Sequence, residues 1–214
     1  MTSPRLLKGG IVQLDPGTGR TLNVIPLQYN PDSLTRSLQV QSAGGEDRDR
    51  SAALRLRGAA VETLRLEVEL DATDRLERPD ANAVTVQSGL HPQIAALELL
   101  VQPTAQSLQA NHALAGSGVL EVLPIAEPLT VFVWGANRVV PVRVTEVSIT
   151  EEAFDARLNP IRAKVSLGLR VLSVDDLGFD HRGGALFMSH LRNREALAAK
   201  ARTTALTALG IEVI

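Results

Sequence analysis

The 214-residue chain contains no cysteine. That excludes disulfide scaffolds, thiolate zinc sites and cysteine nucleophiles together, and it leaves the redox compartment unmarked. Aromatic residues are almost as scarce, at 3%: Tyr29, Phe132, Trp134, Phe154, Phe179 and Phe187. So few rings are a poor stock from which to build a stacking platform for bases or sugars. Neither sign of charge prevails, with 22 Lys and Arg against 24 Asp and Glu and a formal net charge of -2. There is thus no basic balance to draw nucleic acid or an anionic membrane. No apolar run approaches the roughly 18 residues a membrane span needs. The opening MTSPRLLKGG has no apolar h-region, so neither direct membrane insertion nor a signal peptide is expected.

What the chain does have is a 44% hydrophobic content, enough for a core without staples. Over most of the first 175 residues it is arranged with a period of two. Ile161, Ala163, Val165, Leu167, Leu169 and Val171 share one phase, and Arg162, Lys164, Ser166, Gly168 and Arg170 the other. Leu64, Leu66, Val68 and Leu70 alternate in the same way with Arg65, Glu67 and Glu69. Successive side chains on a strand point to opposite faces, so both segments predict long strands with one buried and one wet face. Val140, Val142 and Val144 keep one phase and Val147 and Ile149 the other, which places a β-bulge or a change of sheet at Thr145–Glu146. Further strands are expected over Leu6–Leu14, Leu22–Tyr29, Leu34–Val40 and Leu129–Trp134. Asp15-Pro16-Gly17, Asn30-Pro31-Asp32 and Gly135-Ala136-Asn137 supply the turns.

Helical signal is confined to two places. His91-Pro92-Gln93 opens a short helix with Ile94, Leu97, Leu99 and Leu100 as apolar positions. A second helix spans roughly Ala185 to Leu209, with Phe187, Leu191, Ala198, Ala201, Ala205 and Leu209 on one stripe and Gly210 as its C-cap. That helix must dock, either on its own domain or on a partner. The segments 43–51, 72–90 and 102–128 read as loops, the first a hairpin tip.

Sites for chemistry are hard to find. His91, His112, His181 and His190 form no HExxH and no i, i+4 ligand pair; His91 suits a cap or surface position and His190 a solvent-facing or interface position. Gly116-Ser117-Gly118 lacks the pattern of a nucleophile elbow, and Gly17-Thr18-Gly19 that of a phosphate loop. Glu151-Glu152 and Asp175-Asp176 lack the spaced oxygen ligands of a calcium loop and suit solvated strand ends. No catalytic, cofactor or metal site is expected, and the chain is expected not to be an enzyme. Lysine is limited to Lys8, Lys164 and Lys200, so arginine carries most of the positive charge. Its planar fork suits persistent ion pairs between subunits. Arg162, on the wet face of the longest alternating segment, is the candidate inter-subunit contact.

Four segments, in order, resemble the tube-domain proteins of contractile injection systems, the phage-tail-like particles. Leu27-Gln28-Tyr29-Asn30-Pro31-Asp32-Ser33-Leu34 is similar to that family's FNPxxL signature, with Tyr29 for phenylalanine. Leu64 to Thr73 resembles its LxLxLxFDT strand, with Leu70 for the aromatic, and Phe132-Val133-Trp134-Gly135 resembles its FxWG hairpin. Thr150 to Phe154 followed by Leu158-Asn159-Pro160-Ile161-Arg162-Ala163 resembles its TxF…GxPxRA stretch, with Asn159 where glycine is frequent.

The resemblance implies a mainly β fold of two packed antiparallel sheets or a split β-barrel, with one short helix, over residues 1–178. A C-terminal helical extension follows over 179–214, where longer relatives carry a peptidoglycan-binding LysM module. It also implies a homo-hexameric ring that initiates the inner tube on the spike at the baseplate. Partners would be further copies, the inner tube protein, the spike protein and other baseplate proteins. Assembly into a phage-tail-like particle would be cytoplasmic, with the particle either kept in the cytoplasm or released. A monomeric β-barrel that binds a small ligand is the alternative, and a barrel-fold hydrolase a more distant one.

Overall fold

The computed structural model describes residues 7–42, 55–116 and 127–202. Among the described residues, seven strands run β1 (Gly10–Leu14), β2 (Thr21–Pro26), β3 (Leu34–Gln39), β4 (Val61–Asp71), β5 (Leu129–Val133), β6 (Val139–Phe154) and β7 (Pro160–Val171). Short helices α1 (Thr73–Leu76), α2 (Ala83–Ser88), α3 (His91–Glu98) and α4 (Ala105–Gly116) lie between β4 and β5, with a single 3-10 turn at Pro79–Ala81. Helices α5 (Val174–Leu177) and α6 (Arg182–Ala201) follow the last strand.

The strands make one antiparallel ladder in the order β2-β1-β5-β6-β7-β4-β3, which hydrogen bonding does not close. Mainly β is therefore right, and the ladder is continuous rather than divided into two. Its halves share β6. The first residues of that strand pair with β5 (Phe132 opposite Val140), and from Val142 onward it pairs with β7. The register slips between Val144 and Glu146, so Thr145 is the extra residue of a bulge. The valines change phase there because a bulge turns the strand by one residue and keeps the apolar side inward.

The two ends of the ladder come back toward each other. β2 and β3 are its two edges, yet only residues 27–33 separate them in sequence. Just after β2, the Gln28 side chain mimics a peptide group. Its Nε2 donates to the Asp71 carbonyl at 2.6 Å, and its Oε1 accepts from the Asp71 N–H at 3.0 Å. A side chain thus does at the end of β4 what a neighbouring strand would do, at about 1 kcal/mol net per bond. Leu27, beside it, is buried, as are Leu64, Leu66, Val68 and Leu70 from β4 and Ala163, Val165, Leu167 and Leu169 from β7. Ile11 and Phe132 from the other half join the same core cluster, with Leu90, Ile94 and Leu97 around α3 and Phe187 from α6. Alternation in the sequence set this pattern, residue for residue.

The helices depart from expectation. Segment 72–90 holds α1, the 3-10 turn and α2, and 105–116 is helical although it buries none of its residues. Runs of four to six residues are too short to show a helical period, and a helix with no buried face has no apolar stripe to show. Helix α6 starts three residues before the expected Ala185. Its first half docks through Gly183, Gly184, Phe187 and His190, while Glu195 to Arg202 are exposed. The expected tip at 43–51, the Gly116-Ser117-Gly118 segment past Gly116, and the Ala205, Leu209 and Gly210 positions lie outside the described residues.

Candidate functional site

The feature most open to a partner is the pair of sheet edges. An edge strand carries a row of unpaired N–H and C=O groups, and soluble proteins usually guard it with lysine, proline or a cover. β2 is exposed along most of its length, with Leu22 and Val24 46% and 56% exposed. β3 is exposed beyond Leu34, and Leu38 and the adjoining Val40 are likewise open. Neither strand contains lysine, and the only proline is Pro26 at the end of β2. Both edges are six residues long. Sequence alternation did not reveal them, because an edge is defined by what lies beside a strand.

The four segments singled out in the sequence all fall where the sheet is tied together. Asn30 is a strut: its Oδ1 accepts from the Gly9 N–H at 2.9 Å and its Nδ2 donates to the Leu7 carbonyl at 2.8 Å. The turn between the two edges is thereby pinned to the chain entering β1. Asp71 ends β4 and starts α1, its Oδ1 accepting from the Thr73 N–H at 2.7 Å. Those Thr73 hydrogen bonds, helped by Arg162, hold the Asp71 carboxyl below its usual 3.8. Trp134 stacks on the buried Phe132, centroids 5.9 Å apart, and its backbone N–H closes the β5–β6 turn by donating to the Arg138 carbonyl at 2.7 Å.

Asn159 takes the place of a glycine without taking its conformation; Leu158 carries the left-handed backbone, at φ 63°. Asn159 earns its position by hydrogen bonds. Its Nδ2 donates to Asp155 Oδ2 at 2.8 Å and to the Gln87 carbonyl at 3.1 Å, fixing the β6–β7 hairpin to α2. That Asn159 side-chain bond and the one its backbone N–H donates to Asp155 Oδ1 at 2.9 Å, with a smaller contribution from Arg157, hold Asp155 below 3.8.

Arg162 lies on the wet face, its side chain 54% exposed, and in its own chain Nε donates to Asp71 Oδ2 at 3.2 Å. The register sets it between Asp71 on β4 and Glu152 on β6. Glu152 instead faces Lys164 at 3.6 Å. Of the second acidic pair, Asp176 is structural: it closes the capping box of α5 with Ser173 and accepts from Arg170 Nη2 at 2.7 Å. His91 and His112 are exposed, and His181 caps α6, its Nδ1 accepting from the Gly183 N–H at 3.1 Å. His190 is not solvent-facing: it is 7% exposed, because the α6 face that carries Phe187 turns inward. No group of three or more His, Cys, Asp or Glu among the described residues is placed to hold a metal, and no described helix is long and apolar enough to cross a membrane.

A cavity of about 350 Å³ occupies the gap between β2, β4 and α3. Val24, Ile25, Leu27, Val68, Leu70 and Leu97 line it, with Lys8 and Arg75 also on its wall.

No protein-family model matches the chain, and no curated protein matches its sequence. Among solved structures, it is similar to the tail of an empty GTA particle with C6 symmetry, at 11% identity and a TM-score of 0.29, over 76% of this chain and 90% of that one. It is also similar to the 6-fold symmetrised baseplate of the anti-feeding prophage (AFP), at 14% identity and a TM-score of 0.22, over 80% and 94%. Neither score is that of a shared fold, so the reading below stands on the chain's own residues.

Proposed function

We propose that the chain is a structural, non-enzymatic subunit of a contractile injection system (phage-tail-like) baseplate. Six copies form a ring that initiates the inner tube on the spike. The observation that carries this reading is the pair of equally long sheet edges, β2 and β3, uncovered among the described residues, on a sheet tied together by the four family-like segments. An edge that meets a different edge on the next copy makes a head-to-tail contact, and such contacts generate closed rings when the rotation between copies closes. In this reading the fold is a split barrel, with Gln28 and α3 filling the split. One ring face meets the spike and the other meets the first layer of tube protein. The exposed Phe154 and Leu158, at the tip of the β6–β7 hairpin, suit contacts with other baseplate proteins. The wet face of β4 and β7 stays hydrated, no nucleic acid or membrane is bound, and assembly is cytoplasmic, with release on lysis.

The apolar cavity favours the alternative, a monomeric barrel that binds a small ligand. Sedimentation velocity with negative-stain microscopy separates the two. The first reading expects six-membered rings that Val24→Lys or Leu38→Lys abolishes without lowering the melting temperature of the monomer. A monomer at all concentrations, saturably stabilised by a small apolar ligand, would establish the alternative.

A further inference from the structure

The cavity between β2, β4 and α3 joins surfaces of different chemistry. Its floor is apolar. Val68 and Leu70 point inward from β4, Leu27 follows β2, Leu97 comes from α3, and each of these side chains is buried. Half-buried Ile25 and exposed Val24 continue that surface toward the mouth. At about 350 Å³ the space falls within the range of about 300–1,000 Å³ that small-molecule sites occupy.

Most of the polar groups on the wall are already engaged by the protein. Gln28 commits both ends of its amide to Asp71. Gln93, its amide oriented by hydrogen bonding, donates from Nε2 to the Leu90 carbonyl at 3.2 Å and accepts from Arg75 Nη1 through Oε1. Asn23 Nδ2 donates to Gln13 Oε1 at 3.5 Å.

The charged groups that remain are all cationic. Arg75 is half-buried on α1, and Gln93 holds one end of its guanidinium. Lys8, exposed, stands on the same wall just ahead of β1. Neither takes part in an ion pair among the described residues, and no aspartate or glutamate lines the cavity.

An apolar floor beneath a positive rim has one complementary chemistry: an aliphatic tail that leaves water and a negative head that stays at the rim. A neutral apolar molecule would gain nothing from the two charges, and a cation would be repelled by them. We infer that the cavity binds one small amphipathic anion, a short alkyl chain ending in a carboxylate. The tail lies against Leu27, Val68, Leu70 and Leu97. Arg75 takes the carboxylate through its planar fork, and Lys8 adds a second, more hydrated charge. The site does not depend on ring assembly, because one copy of the chain supplies the whole lining.

The test is a calorimetric titration of the full chain with octanoate, 1-octanol and octylammonium, which share one tail and differ in the charge of the head. Octanoate is expected to saturate a single site about tenfold more tightly than octanol, the effect of one charge-assisted contact, with octylammonium weaker than both. Methyl NMR resonances of Leu27, Val68, Leu70 and Leu97 should move as octanoate binds. Added salt should weaken octanoate and leave octanol unchanged. Arg75→Gln should bring octanoate down to the affinity of octanol, and Arg75→Lys, which keeps the charge but not the fork, should restore part of the difference. Each titration is repeated on Leu38→Lys protein, monomeric in the reading above. Octanoate binding to that variant alone would mean that a neighbouring copy covers the mouth of a working site. Equal affinity for octanoate and octanol, octylammonium as tight as octanoate, or no octanoate binding to either protein would overturn the assignment.

Discussion

Arg162 shows how one residue can be placed by its sequence and still have its role set elsewhere. The alternation over 161–171 puts it on the wet face, and the register then supplies Asp71 at 3.2 Å within the same chain. An exposed pair of this kind is worth about 0–1 kcal/mol, so Arg162→Gln should leave the unfolding midpoint of the monomer almost unchanged. Charge reversal would be a poorer probe, since it would put a third carboxylate beside Asp71 and Glu152. If Arg162 reaches a neighbouring subunit, Arg162→Gln weakens the ring seen by sedimentation; normal rings from that variant would remove Arg162 from the interface.

His190 gives a second prediction at this scale. Its native proton affinity lies below the ordinary value of 6.5, so the unfolded chain binds more protons in the window beneath 6.5. The contribution of neutral His190 to stability is therefore complete above 6.5 and is lost as pH falls toward the native value. Urea midpoints should fall as the pH drops below 6.5, and His190→Gln should flatten that slope. An unchanged slope in the variant would place the loss on other groups.

Among the elements, the long strands were legible and the short helices were not. β4 and β7 bury mainly one face each, so hydrophobicity alternates along them with Glu62 as the exception, and the valine slip in β6 marks its bulge. Helices α1 and α2 have no comparable code. α1 opens where Asp71 accepts the Thr73 N–H, and α2 stops at Gly89, whose φ of 54° suits glycine and whose missing Cβ leaves room for the Pro160 carbonyl.

Helix α6 was legible as a helix, but its docking was not. At Gly184 the α6 backbone comes so close to the Gly178 carbonyl that no Cβ fits between them. Helix propensity alone favours Gly184→Ala by about 1 kcal/mol, whereas the close approach makes it destabilising by about 1–3 kcal/mol. The sign of the change in denaturant midpoint decides between them, and the packed geometry expects a loss.

For the whole molecule, the arrangement of the sheet matters more than any single strand. A ladder of seven strands that returns on itself leaves β2 and β3 as edges, and it brings Gln28 against Asp71. Both facts follow from strand order, which local periodicity does not encode. The charged group around the buried Glu62 has the same origin. Arg36, Glu62, Arg138, His190 and Arg194 come from β3, β4, the β5–β6 turn and α6, and no spacing along the chain announces them. A glutamate in the core phase of a strand was the one signal available, since an acidic residue at an inward position needs cations brought to it. By itself the sequence determined the secondary structure of the sheet, its buried face and its main turns, because a strand's two faces are written in neighbouring residues. Only the tertiary structure decided which strands are edges and which charges meet, because those depend on residues that the chain brings together only when it folds.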